Sequence, residues 1–411
     1  SVLPGYGFST ELGDVVNEKT LEIIEHRRRT AVVRRRGWLV RRALLLADLA
    51  GIVGALVAAV PLAWVWWRVR VGAESGRRNA MPLLVTMTLF LTFDLILFGA
   101  FTRLTDSGLG CPDWPGCYGA ATPFGAAVHI DAAQTAMPTG PVTTGKAWVE
   151  MIHRYLASGV GALILILTIM AWRQRTARLL ATVSLIWVCV QGAFGALTVT
   201  MKLFPAIVTL HLLGAMILLA LLRSTQVRLV DVAPSGSGAN LRPAVFGLVV
   251  ALFGLVWLQM GLGAWVSTNY AVLACQDFPT CQGQWWPAMN FSAGFEWWRP
   301  LGQDGQGTAI PFEALTAIHY THRLMAYLVL ALAIWVGMRL REVPDYRAAG
   351  YFLWFLAAWQ LATGVSNVVF NWPLLAAVSH TGGAAGFVLV LTGVLVRARF
   401  LKTSSTFKAI Q

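Results

Sequence analysis

The sequence predicts an all-α fold: a polytopic integral membrane protein of two tandem four-helix transmembrane bundles, eight helices in all, preceded by one extra hydrophobic span. Three observations predict it. Of 411 residues, 57% are hydrophobic and only 12% charged, and the mean hydropathy of +0.63 is too apolar for a soluble fold. Apolar runs of about 20 residues, the length that crosses a ~30 Å hydrocarbon core, recur at nine places: 43–67, 82–103, 148–172, 177–200, 205–224, 243–266, 313–338, 347–370 and 373–398. The last eight of these belong to an internal duplication.

Two stretches carry the duplication most clearly. Cys111-Pro-Asp-Trp-Pro-Gly-Cys-Tyr-Gly119 and Cys275-Gln-Asp-Phe-Pro-Thr-Cys-Gln-Gly283 share Cys-x-Asp-x-Pro-x-Cys-x-Gly at an offset of 164, and Gly99 and Gly263 each stand 12 residues before the first cysteine. Farther along, His153-Arg154 answers His322-Arg323, and Gln191, Gly195 and His211 answer Gln360, Gly364 and His380, all offset by 169. Each half thus reads span, cysteine loop, span with a histidine near its start, span, and span with a second histidine. An even number of spans returns each half to the same side, so the repeats are parallel. The domains that follow are an extension 1–80 outside the repeat, an amino-terminal half 81–224, a linker 225–242 with a flexible Pro234-Ser-Gly-Ser-Gly238 run, a carboxy-terminal half 243–400, and a tail 401–411.

The net charge of +13 would admit nucleic acid as a partner, but the arginines gather at span ends, where they mark topology. Arg173, Arg175 and Arg178, then Arg223 and Arg228, then Arg339, Arg341 and Arg347 fall in alternate loops, which the positive-inside rule makes cytoplasmic together with Arg397, Arg399 and Lys402. Loops 104–147 and 267–312 then face outward. Within 1–80, basic clusters Arg27–Arg42 and Arg68–Arg78 flank the first span on both sides, a pattern that rule cannot satisfy; an anchor, a re-entrant helix and an appended segment are all compatible with it. Ser1 is not an initiator methionine and no cleavable signal pattern precedes the first span, so the amino end reads as a product of processing or of cloning.

Ionisable groups inside a span are costly and default to function. Four histidines qualify. His211 and His380 follow Pro205 and Pro373 by six and seven residues, about 10 Å of helix, and His153 and His322 lie near the starts of their spans. Two imidazoles at similar depth on two helices suit the axial positions of a haem held in an apolar cleft. A zinc site would ask for three or four ligands about one point, whereas only pairs are evident. A lone histidine could equally be a core residue bonded to a carbonyl; the constant offset of the pair favours ligands.

Other residues carry two readings. Glu150 precedes His153 by three and shares its helix face; it reads as a catalytic carboxylate beside the haem, or as an ion-pair partner of Arg154. His319 holds the matching place before His322, and Glu313 reads as interfacial. Arg154 and Arg323 are possible contacts of haem propionates, or anchors of buried polar groups. Cys111–Cys117 and Cys275–Cys281 are each close enough to form a disulfide bracing an outer lid, with a thiol relay as the alternative; Cys189 sits alone in a span. His129 is expected to be solvated, and Trp285, Trp286, Trp297 and Trp298 to lie in an interfacial belt. Asp94 has no account at this level.

Over 82–398 the chain resembles the haem A synthases, through Thr102-Arg-Leu-Thr-Asp-Ser-Gly-Leu-Gly-Cys-Pro-Asp-Trp-Pro115, Glu150-Met-Ile-His-Arg154, Gln191 through His211, Ile318-His-Tyr-Thr-His-Arg323 and Ser379-His380. The paired cysteines resemble the bacterial subtype. The resemblance implies an oxidoreductase that converts the C8 methyl of haem O to a formyl group by successive hydroxylations ending in loss of water, making haem A for terminal oxidases. It further implies that Glu150, His153 and His211 flank haem O as substrate, that His322 and His380 hold the iron of a haem B cofactor, and that the lipophilic substrate enters from the bilayer. A haem O synthase is the implied upstream partner and membrane lipid the surroundings; the electron donor and any homo-oligomer stay open. The implied location is the bacterial inner (plasma) membrane, with the cysteine loops periplasmic. The first 80 residues depart from the family pattern. The rivals are a di-haem electron-transfer cytochrome oxidising quinol, which has no use for Glu150, and a transporter built on the same repeats.

Overall fold

The computed structural model describes residues 80–230 and 241–408, with the side chains of 400–408 outside that description. The candidate span 43–67, the basic clusters around it and most of the linker lie outside the described residues. Among the described residues, eight helices are long and apolar enough to cross a membrane: α1 Ala80–Leu104, α2 Thr144–Arg173, α3 Arg178–Thr200, α4 Pro205–Val230, α5 Pro243–Thr268, α6 Phe312–Arg341, α7 Arg347–Val369 and α8 Leu374–Lys408. They answer the eight repeat spans one for one. Two boundaries differ from expectation. α4 runs on through Val230, so the first part of the expected linker 225–242 is helix, and α8 runs to Lys408 through most of the expected tail. Both extensions lack proline or glycine to stop them, and the last helical turns need no further apolar partner to propagate.

Local chemistry sets the helix starts. Pro205 and Pro243 occupy first-turn positions, where the missing N–H costs no hydrogen bond. Thr143 caps α2 by accepting from the Lys146 N–H at 3.3 Å. The turns before α4 and α8 match across the repeat, with left-handed backbone at Lys202 and Leu203 and again at Asn371 and Trp372. The expected outer loops hold short helices, Ala127–Ala136 in the first and Phe291–Gly294 in the second. Arg299, fully buried, ties the second loop down by donating to Asn269 Oδ1 at 2.7 Å and Gln303 O at 3.0 Å.

Within each half the helices close a ring, α1–α2–α3–α4–α1 and α5–α6–α7–α8–α5, and the halves meet through α1, α4, α5 and α8. The interface obeys a pseudo-twofold relation. A methyl group added at Gly382 on α8 would meet Leu97 Cδ2 of α1 at 3.0 Å, and one added at Gly261 on α5 would meet Leu213 Cδ1 of α4 at 3.9 Å. Leu97 and Gly261 are repeat equivalents, as are Leu213 and Gly382. At the loop end, Arg103 Nη2 donates to Ser267 O at 2.6 Å while the Tyr270 hydroxyl donates to Asp106 Oδ1 at 2.6 Å, again between equivalent positions. Both cysteine loops therefore leave the bundle at one end, and the arginines closing α2, α4 and α6 lie at the other.

The Gly382–Leu97 contact has no spare room. Gly382→Leu is expected to cost about 1–3 kcal/mol by overpacking, and Leu97→Ala in the same chain to recover most of it, as read from thermal unfolding of the detergent-solubilised protein.

Candidate functional site

The four repeat histidines lie in two helix pairs, His153 on α2 with His211 on α4, and His322 on α6 with His380 on α8. All four histidines are half-buried. Each faces a glycine on a neighbouring helix: a methyl at Gly99 would stand 3.0 Å from His153, at Gly195 3.7 Å from His211, at Gly263 2.9 Å from His322 and at Gly364 3.4 Å from His380. These are the glycines the repeat had already paired. Their missing side chains let the imidazoles lie against helix backbone.

The His322 and His380 ring centres are 6.4 Å apart and nearly perpendicular, at 78°. Two metal–nitrogen bonds of about 2 Å, with about 1 Å from each nitrogen to its ring centre, put two axial imidazoles roughly 6 Å apart, so this pair fits a shared iron. His153 and His211 lie within electrostatic reach of one another, and Phe98 stacks on His153 at 6.3 Å. Among the described residues no three His, Cys, Asp or Glu side chains converge to hold a bare ion.

The hydrogen bonds around the rings differ between halves. His380 Nδ1 is 2.9 Å from Thr363 Oγ1, and His322 Nδ1 is 3.0 Å from the Gln259 side-chain amide. In the other half His211 Nδ1 is buried without a partner. Gln360 donates to the His380 carbonyl at 2.9 Å; Gln191 occupies the equivalent place, packed into the space that Gly214 leaves. Neither Thr363 nor Gln259 is visible in a search for shared residues. Both appear only when the halves are compared for mismatches, Thr363 against Phe194 and Gln259 against Leu95.

Above the histidines, the two cysteine loops are built alike. Cys111–Cys117 and Cys275–Cys281 are disulfides, in keeping with the bracing role. Asp113 accepts from the Tyr118 and Gly119 N–H groups at 2.6 and 2.7 Å, and Asp277 accepts from Gln282 and Gly283 at 2.7 and 2.9 Å. The Thr280 hydroxyl, with those amides, holds the Asp277 carboxyl below the usual carboxylate range. Gly119 and Gly283 supply the left-handed backbone where each loop turns back. The cysteines, aspartates and glycines of Cys-x-Asp-x-Pro-x-Cys-x-Gly thus each have a bond or a backbone conformation to explain them.

Arg154 and Arg323 serve these loops. Arg154 Nη1 donates to Asp113 O, Pro115 O and Gly116 O at 2.9, 3.2 and 2.6 Å, and Arg323 Nη1 donates to Asp277 O and Thr280 O at 3.1 and 2.6 Å. That is the anchoring alternative. Arg323 Nη2 alone stays buried with no partner. Glu150, also buried, accepts from the Cys111 N–H at 2.8 Å and pairs with Arg154, so the carboxylate one turn from His153 is held by the lid itself. Gly110 permits this, because a methyl there would come within 2.4 Å of the Lys146 backbone. His319, the matching residue, bonds through Nδ1 to Ala271 O at 3.1 Å.

His129 is exposed and stacks on Tyr118. Cys189 is exposed on α3. Trp285, Trp286, Trp297 and Trp298 are all exposed; Trp297 also stacks on Trp265, and Trp298 lies against Phe204. Asp94 Oδ2 is buried with no partner, and nothing in the structure explains it.

The family described as Cytochrome oxidase assembly protein matches residues 82–392. A protein named heme A synthase from Shewanella oneidensis is 38% identical over 317 residues, covering 76% of this chain and 94% of that relative. Heme A synthases of Halalkalibacterium halodurans and Rhodopseudomonas palustris are 27% and 28% identical, over 74% and 81% of this chain and 91% and 95% of their own lengths.

The glycine cradles give a direct check. Gly263→Val is expected to displace the His322 ring and weaken haem binding by about tenfold or more, while Gly261→Ala, with 3.9 Å of clearance, leaves it unchanged; absorbance of the purified proteins on haem titration reads both.

Proposed function

The chain belongs to the Cytochrome oxidase assembly protein family, as a multi-pass membrane oxidoreductase with haem A synthase function, and from that membership we propose that it oxidises the C8 methyl of haem O to the formyl group of haem A. The observation that carries the proposal is the imidazole pair built twice, each ring set against a glycine. In this reading His153 and His211 hold haem O as substrate, and His322 and His380 hold a haem B cofactor. Haem B, when bound, supplies reversible one-electron chemistry to the half where the methyl is oxidised.

The protein's own part is orientation and charge. The two helix-borne imidazoles fix the substrate ring between α2 and α4, and the apolar walls exclude water. Glu150 keeps a negative charge one helical turn from His153, where it offsets positive charge developing as the methyl is oxidised. Its bonds to Cys111 and Arg154 fix that charge in place before the substrate arrives. Arg323 Nη2 is the donor left over for a propionate oxygen. In this reading the end that carries both cysteine loops faces the periplasm of a bacterial inner membrane, which the arginine-rich helix ends opposite it support. A haem O synthase is the partner that supplies the substrate.

Chromatography of haems extracted from cells tests the reading. Haem A is expected only when this chain and a haem O synthase are expressed together, and haem O alone in that strain refutes the proposal. Glu150→Gln keeps an oxygen for the Cys111 N–H but lacks the charge; conversion is expected to fall about 100-fold. Full turnover in that variant would reduce Glu150 to a loop anchor.

A further inference from the structure

Resting on the assignment of a resident haem to one half and a passing haem to the other, we infer that the Thr363 hydroxyl is a positioning group that makes the carboxy-terminal half the one that retains its haem. Thr363 is buried on α7. Its Oγ1 lies 2.7 Å from Trp359 O and 2.9 Å from His380 Nδ1. A hydroxyl has one hydrogen to give. Donated to the Trp359 carbonyl, that hydrogen leaves an oxygen lone pair facing Nδ1, so Nδ1 must carry the ring proton. The Nε2 lone pair is then the one presented to iron, and the ring cannot turn without losing the bond. A partner of this kind fixes the tautomer and orientation of a metal-binding histidine and raises its basicity.

The other half is built without the device. Phe194 stands at the position equivalent to Thr363, and His211 Nδ1 is correspondingly buried with no partner. The contrast rests on this ring. The Gln259 amide N–H beside His322 Nδ1, at 3.0 Å, is a donor and does not set a proton on that nitrogen. An imidazole pair with no ring fixed in the iron-binding tautomer holds a haem more loosely than a pair with one ring so fixed. That difference matches the tasks, since a cofactor must stay and a product must leave.

The test uses the full chain in detergent, loaded with haem B, and follows transfer of haem to an excess of an apo-haem acceptor protein. Haem held by His322 and His380, isolated in a His211→Ala chain, is expected to leave at least about tenfold more slowly than haem held by His153 and His211 in a His380→Ala chain. Adding Thr363→Val to the first chain keeps the shape and removes the hydroxyl; it should accelerate loss about tenfold and raise the haem midpoint potential, because a less basic imidazole stabilises ferric iron less. Thr363→Ser should restore both. Unchanged loss and potential in Thr363→Val, with haem still bound through His380, overturn the inference. Absence of haem B from the wild-type chain instead overturns the functional reading beneath it.

Discussion

An imidazole laid against bare helix backbone is the contact on which this structure turns. It occurs four times: at Gly99 and Gly263 even a methyl would crowd the ring, and at Gly195 and Gly364 a methyl would just reach it. The effect is to bring two histidine-bearing helices into one half without their rings being pushed into lipid or into each other. At His322 and His380 the result is a spacing that a shared iron can fill. The glycines do little for helix stability, and their use at mid-helix is intelligible only through the rings they admit.

The outer loops extend the same logic upward. Each disulfide loop is wrapped about an arginine that sits one residue after a histidine on the same helix. Loop and ligand are thus registered to a single turn of helix. In the amino-terminal half this registration includes Glu150, whose carboxylate is gripped by the loop's first cysteine amide. The corresponding His319 reaches the backbone beyond α5. The halves share a scaffold and differ in whether a carboxylate or an imidazole completes it.

Much of this was legible in the chain. The apolar runs gave nine spans, of which the eight in the repeat are the helices described and the ninth lies outside the described residues, and the twin offsets of 164 and 169 paired the histidines, glycines and cysteines that the fold then brings together. The jump between the two offsets falls in the outer loops, which is where the second half carries extra chain closed over Arg299. What stayed hidden depends on three-dimensional partners. Arg154 and Arg323 had two readings because a guanidinium serves a propionate or a carbonyl equally well, and only the path of the loops shows which is near. Thr363 and Gln259 were passed over because repetition highlights what the halves share, whereas these residues matter through what the halves do not.

The swapped contacts at the centre of the molecule bear on how it stays a pair of unlike halves. Two amino-terminal halves brought together by the same geometry would set Leu97 against Leu213, one bulky side chain too many. Two carboxy-terminal halves would set Gly261 against Gly382 and leave a void. Only the mixed assembly fills the space once. Partner choice is therefore written into the buried seam itself, and the two halves would recognise one another over their own kind even if the peptide joining them were cut.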